Sequence, residues 1–370
     1  MHHMKIVIAH QTIVDGDAIG HDIQGMYHAL KRSGYEVYIY GEYNYLDSSE
    51  YRHATLDQLI SLVLDGDNLF IYHHSNYWQR GEKLLDIADC RVVIRYHNIT
   101  PSRFFKPYSD HYYSILQQAE KQTDRLVKQK DFLWLGDSQY NCREVVTKGV
   151  ATSRSVVLPP FHNIERMERV VPDHETLENL LDGDRVNVLF ISRMAPNKGH
   201  KAIVQTAAAY KRMFGDQVRF WVVGDTDKQL KRYNTEMSLW IKKYGLQELV
   251  VLTGKVSRSS LKAYFMGSRV FLCLSEHEGF GVPLIEAQYY RLPVVACDAA
   301  AIKETLGVNQ LIFDRFDEEL VASAIHAVAT QEQLAHSLGD QGWSNYQSRF
   351  APQVIEKRFL DIIQSLRNGR

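Results

Sequence analysis

No two of the four cysteines are spaced as CxxC, no apolar run approaches the ~20 residues of a bilayer span, and neither sign of charge is in excess. Each absence removes a class of protein. Without paired spacing, Cys90, Cys142, Cys273 and Cys297 make no metal knuckle or redox pair. Cys273 and Cys297 stand inside apolar runs, where a buried free thiol of a reducing compartment is expected. The start, MHHMKIVIAH, passes into a strand pattern instead of a secretory signal, so a cytoplasmic location is expected. With 43 Lys plus Arg against 44 Asp plus Glu, the net charge of −1 lacks the basic footprint of a nucleic-acid binder, and no nucleic-acid partner is expected.

What the sequence does have is 370 residues, 45% hydrophobic and 24% charged, enough for two domains with a core each. Short apolar, β-branched runs recur: KIVIAH from Lys5, VYIYGE from Val37, NLFIYHH from Asn68, RVVIRYHN from Arg91 and FLWLGDS from Phe132. A second series restarts with VNVLFISR from Val186 and continues through RFWVVGD, LVVLTG, VFLCLS and PVVACD. Runs this continuously apolar suit parallel strands buried on both faces, with helices between them. Ile23, Met26, Tyr27 and Leu30 keep the helical spacing of a segment that stops at Ser33-Gly34. The predicted class is α/β, two Rossmann-like doubly wound domains facing across a cleft. Residues 1–170 and 171–350 are assigned to the two, with the boundary in the proline-broken stretch 159–184. Residues 351–370 form a terminal helix with Ile355, Phe359, Ile362 and Leu366 on its apolar stripe, a candidate to pack back on the first domain.

Ligands of parallel sheets bind where strands end, so the residues after each run matter most. In SEHEGFGVPLIEAQYY, from Ser275, Pro283 suits the first turn of a helix. Gly279-Phe280-Gly281 then form a loop whose backbone N–H groups, with those of Val282 at the helix start, can hold an anion such as phosphate. Glu286, one turn in, would be repelled by phosphate unless it accepts hydrogen bonds from neutral hydroxyls, and Glu278 stands at the loop entry under the same constraint. Arg193 and Lys198 follow an equivalent strand. Two polyol-binding carboxylates around a phosphate cradle are the parts of a nucleotide-sugar site. The plainer alternative makes Glu278 a solvated loop charge, Glu286 a residue favoured by the helix dipole, and the two cations ordinary surface charges.

The segments ISRMAPNKGHKAI, RFWVVGD, LVVLTGKVS, VFLCLSEHEGFGVPLIEAQYYRLPVVACD and IKE, between Val186 and Phe313, resemble the carboxyl-terminal domain of retaining GT-B glycosyltransferases of family four, the glycosyl transferases group one type. The amino-terminal half resembles the family only in outline. The resemblance implies hexosyl transfer from a nucleotide-sugar to a glycan or lipid-linked acceptor with retention of configuration. It implies no cofactor and no metal. By matching positions it places Arg193 and Lys198 on the diphosphate with the backbone of Gly279, Phe280, Gly281 and Val282, Glu278 on the donor sugar, Glu286 on the ribose, and Gly254, Lys255 and Val256 near the base. His97 matches the family's active-site histidine and Ser138 the serine before a cleft helix, with helix capping as the serine's simpler role. In place of the family's glycine pair, the loop after the first strand has Gly16 and Gly20 set apart.

The resemblance leans to UDP-glucose or another UDP-hexose as donor, and to bacterial exopolysaccharide or lipopolysaccharide as product. With no carboxylate placed as a nucleophile, front-face attack by the acceptor hydroxyl is expected, with Arg193, Lys198 and loop amides stabilising the leaving diphosphate. Residues 103–130 mix aromatic and basic side chains, so a peripheral contact with the inner face of the cytoplasmic membrane is kept open against an ordinary amphipathic helix. A silent or partner-dependent scaffold of polysaccharide assembly, and a nucleotide-sugar epimerase or hydrolase on the same fold, are the alternatives. A metal-dependent GT-A enzyme fits less well: three of the four D-x-D triplets, among them Asp182-Gly183-Asp184, contain the Asp-Gly turn signal. No oligomeric state follows from the sequence.

Overall fold

The computed structural model describes residues 4–47, 49–129, 132–183 and 185–368; Lys130 and Asp184 lie outside them. The chain forms two compact units. One gathers the residues up to 102, 111–162 and those from 350 onward, and the other gathers 103–110 and 163–349.

In the amino-terminal unit, β1 (Lys5–Ile13), β2 (Glu36–Asn44), β3 (Leu69–His74), β4 (Arg91–Tyr96), β5 (Leu133–Gly136) and β6 (Ser155–Val157) form a parallel sheet in the order β2-β1-β3-β4-β5-β6. The chain order reverses between β1 and β3, which makes their carboxyl ends the switch point where such sheets take ligands. Helix Ala18–Arg32 buries Ile23, Met26, Tyr27 and Leu30, as the spacing predicts. Its N-cap is Asp17, whose carboxylate accepts the Gly20 N–H at 2.6 Å. Helix Pro352–Asn368 joins this unit's core through Ile355, Phe359 and Ile363, while Ile362 and Leu366 are only partly covered. Ile355 and Phe359 are thus placed as expected, and Ile363 takes the place of Ile362 in the core. At about 1.5–3 kcal/mol for each fully buried apolar side chain, these three are enough to fix the helix.

The second unit holds β7 (Val186–Ile191), β8 (Val218–Val223), β9 (Val250–Gly254), β10 (Val270–Cys273), β11 (Val294–Cys297) and β12 (Leu311–Phe313), all parallel, in the order β12-β11-β10-β7-β8-β9. Its switch point lies between β7 and β10. Residues 103–110 pack into this unit, with the Tyr108 ring edge-on to Tyr233 at 5.0 Å and Arg232 Nη1 donating to the Pro107 carbonyl at 2.9 Å. The four cysteines are buried free thiols.

Candidate active site

The switch point of the second sheet brings together the two strand-end segments singled out in the sequence. After β7 the chain leaves through Arg193 and turns at Pro196–Lys198 into helix His200–Phe214. Gly199 takes φ 70° there, and a Cβ at this position would land on the Leu274 carbonyl, so only glycine lets the turn lie against the end of β10. Lys198 Nζ consequently reaches Glu278 Oε1 at 2.7 Å, and Ser275 Oγ donates to the same oxygen at 2.9 Å. Asn197 reinforces the register by donating to the His277 carbonyl at 3.1 Å and accepting the Glu276 N–H at its own carbonyl at 2.9 Å. Lys198 and Glu278 are thus partners of each other, a half-buried pair held at the carboxyl end of the sheet.

Beyond Glu278 the glycine loop is anchored at both ends: the Ala301 N–H donates to the Glu278 carbonyl and Thr305 Oγ1 to the Phe280 carbonyl at 2.7 Å. Helix Val282–Tyr289 starts with Gly281 as N-cap in the left-handed region, φ 87°, and Pro283 in the first turn, as the sequence predicts. The Val282 N–H, as the first helical donor, has no acceptor within the helix. Glu286 is half-buried one turn along, and its carboxylate makes no hydrogen bond or ion pair among the described residues. Burial pushes its carboxyl up to about 7. Arg193 and Lys255 are exposed and likewise form no ion pair there. This end of the sheet offers two unspent cations, an unspent carboxylate and a helix N-terminus, a donor and acceptor set suited to an anion bearing hydroxyls.

In the amino-terminal unit His97 lies just past β4, with a different set of partners. Its Nδ1 is 3.1 Å from Asp137 Oδ2 and its Nε2 is 2.8 Å from His73 Nδ1; the two imidazoles stack with centroids 5.0 Å apart. Both ring nitrogens are engaged inside the unit. Below them, fully buried Arg95 donates from Nε to Asp22 Oδ2 at 2.7 Å, pairs through Nη2 with Asp137 at 2.7 Å, and donates from Nη1 to the Leu158 carbonyl at 2.8 Å. The other Asp22 oxygen accepts the Phe161 N–H at 2.8 Å. Asp22, His73, Arg95 and Asp137 escaped the sequence reading. For His73, Arg95 and Asp137 the signal was present as charged or imidazole groups inside or directly after apolar strand runs, since such groups are almost never fully buried unless paired; Asp22, inside helix Ala18–Arg32, carried no such signal.

The other predicted residues of this unit are placed as follows. Ser138 Oγ caps helix Gln139–Thr147 by accepting the Asn141 N–H at 3.2 Å. Gly16 takes φ 99° in the loop after β1, and Gly20 opens the following helix where a Cβ would strike the Val14 carbonyl, so the separated glycines serve one tight strand-to-helix turn. Of the aromatic residues in 103–130, Phe105 is buried, Phe104 lies 6.3 Å from His277, and Tyr108 is against Tyr233. Among the described residues no helix is long and apolar enough to cross a membrane.

The family model described as glycosyl transferases group 1 matches residues 174–344, the segment that carries the β7–β10 site. Over that segment the chain is similar to the group 1 glycosyl transferases. Relatives of this chain include the 2-deoxystreptamine N-acetyl-D-glucosaminyltransferase of Niallia circulans, 28% identical over 48% of this chain and 45% of its own. The amylovoran biosynthesis glycosyltransferase AmsD of Erwinia amylovora is 24% identical over 56% and 54% respectively. The chain thus spans about half the length of the curated relatives it matches. Anabaena Alr3699/HepE, solved in complex with UDP and glucose, superposes with TM-score 0.75 and 19% identity over 98% of this chain and all of its own. A sucrose-phosphate synthase from Thermosynechococcus elongatus gives TM-score 0.77 and 16% identity over 99% of this chain and all of its own. At such identities the likeness shows the fold alone, and the fold is GT-B.

Proposed function

We propose that this chain is a group 1 glycosyl transferase that moves a hexosyl unit from a nucleotide-sugar, with UDP-glucose or another UDP-hexose as the leading donor, to a hydroxyl of a glycan or lipid-linked acceptor, with retention of configuration. The observation that carries the reading is Glu286, a half-buried carboxylate without a partner, one turn into a helix opened by Gly281 and on the same sheet edge as the Lys198–Glu278 pair. A carboxylate left unsatisfied in this way suits a pair of ribose hydroxyls. Arg193, Lys198 and the loop amides would meet the charge growing on the departing diphosphate, so no metal is needed at the phosphates. Glu278, already holding Lys198, orients the donor sugar and does not attack it. His97, tied on both ring nitrogens, would act by holding the loop after β4. The UDP and glucose bound by the HepE neighbour, and the polysaccharide product named for the Erwinia relative, support a UDP-sugar donor and a bacterial polysaccharide product.

Calorimetric titration with UDP, GDP and NAD in EDTA, repeated with Glu286→Ala, tests the donor site. Binding of one nucleoside diphosphate that the substitution weakens is the expected result; binding of neither would remove the reading. Release of UDP from UDP-glucose that is unchanged by added acceptors would favour a hydrolase.

A further inference from the structure

The edge of the first sheet carries a second chemistry. Asp22 from helix Ala18–Arg32, His73 from the end of β3 and His97 just past β4 converge below the switch point, with Asp22 and His73 buried and His97 nearly so. The three facing atoms are Asp22 Oδ2, His73 Nδ1 and His97 Nε2, and their separations are 2.8, 3.7 and 4.0 Å. A triangle with those sides has its equidistant point about 2.1 Å from every corner, the length of a zinc bond to imidazole nitrogen or carboxylate oxygen. That point lies in the plane of the three atoms; a tetrahedral metal would stand off the plane with bonds of about 2.2 Å and ideal edges of about 3.6 Å, which the three observed edges straddle.

The surroundings support the same assignment. His97 presents its other nitrogen, Nδ1, to Asp137 Oδ2 at 3.1 Å, the carboxylate–imidazole arrangement that orients a metal-bound histidine and fixes its tautomer. Asp22 is held by the Arg95 Nε–H on Oδ2 and the Phe161 N–H on Oδ1, which leaves one lone pair of Oδ2 uncommitted. The buried ion pairs set two carboxylates, Asp22 and Asp137, against one guanidinium, Arg95, so the cluster has one negative charge in excess and favours a further cation. His73 Nε2 is buried without a hydrogen-bond partner, so this ring is held mainly by what its Nδ1 faces.

We propose that Asp22 Oδ2, His73 Nδ1 and His97 Nε2 bind one divalent transition metal, zinc or a cation of like preference, that pins the start of the β4 loop to β3 and helix Ala18–Arg32. The ligand set of two imidazoles and one carboxylate suits zinc, cobalt or iron over magnesium or calcium. The rival for the same position is a single proton shared by the two imidazoles. The metal belongs to the amino-terminal unit and has no part in the diphosphate chemistry proposed above, so either idea can fail without the other.

Protein purified without chelator should carry close to one equivalent of zinc per chain by elemental analysis. EDTA should remove it and lower the melting temperature by about 5–10 °C, and added zinc should restore both. Cobalt added to the stripped protein should give the visible absorption of a tetrahedral site. His73→Gln should lose the metal and the cobalt spectrum, whereas Arg193→Ala should keep both. Absence of metal in the purified wild type together with a featureless cobalt titration overturns the proposal in favour of the shared proton, as does full metal retention by His73→Gln. If His73→Gln does not fold, the cobalt titration of the wild type decides alone.

Discussion

The two units use the carboxyl edges of nearly equivalent sheets in opposite ways. In the amino-terminal unit the charges are mostly spent on one another, with one carboxylate charge in excess: Arg95 is buried between Asp22 and Asp137, and His97 is tied at both nitrogens. In the second unit they are held in reserve. Arg193 and Lys255 are exposed and outside any ion pair among the described residues, and Glu286 has no partner. Burying a charge costs several kcal/mol unless it is paired, so the first arrangement organises a fold. Charges left open at a strand end contribute little to folding and remain available for a ligand. Equivalent topology therefore does not mean equivalent duty.

The comparison breaks most readily at its two arginines. Arg95→Ala removes the guanidinium that pairs both Asp22 and Asp137, leaving two buried carboxylates without it, and should destabilise the protein by about 3–5 kcal/mol. Urea unfolding followed by tryptophan fluorescence measures it, and a loss below about 1 kcal/mol would mean that water or a rearranged partner satisfies the carboxylates. Arg193→Ala should show the opposite profile. Stability should stay within about 0.5 kcal/mol, while turnover of UDP-glucose falls roughly 10²–10³-fold, the usual loss when one group facing developing negative charge is removed. Equal effects of the two substitutions on stability would abolish the distinction between spent and reserved charge.

How legible these arrangements were in the sequence follows the same divide. The β7–β10 site is local and could be read, because its glycine loop, the helix-start proline and Glu286 lie within a dozen residues, and Lys198 and Glu278 each follow an apolar run. The Asp22–Arg95–Asp137 network could not, since its members are 73 and 42 residues apart and only packing joins them. Ten strands announced themselves as apolar runs. The edge strands β6 and β12 did not, because three half-buried residues are too few to show a strand pattern. The excursion of residues 103–110 into the second unit was hidden for a related reason: it is held by Tyr108 and Arg232, single contacts without period.

The finest test of reserved charge is the titration of Glu286. Its carboxyl is raised by burial from the ordinary 4.5 to about 7, so the folded chain holds a proton that the unfolded chain releases near 4.5. With more protons bound in the folded state, stability falls as pH rises from about 4.5 through about 7, the reverse of an ion-paired carboxylate. Ligand binding should carry the opposite slope. Only the ionised carboxylate accepts two hydroxyl donors, so affinity for UDP-glucose, whose phosphates do not titrate in this range, should rise about tenfold between roughly pH 6 and pH 8. Binding near neutrality should also release a proton, seen as a calorimetric heat that changes with the ionisation enthalpy of the buffer. In Glu286→Gln the pH slope and the proton release should both vanish, and affinity above neutrality should drop by about 1.5–3 kcal/mol, the worth of hydrogen bonds to a charged acceptor. An affinity that falls with rising pH in the wild type would make Glu286 a hydrogen-bond donor in its protonated form, and the group it faces would then be an acceptor such as a carbonyl or phosphate oxygen.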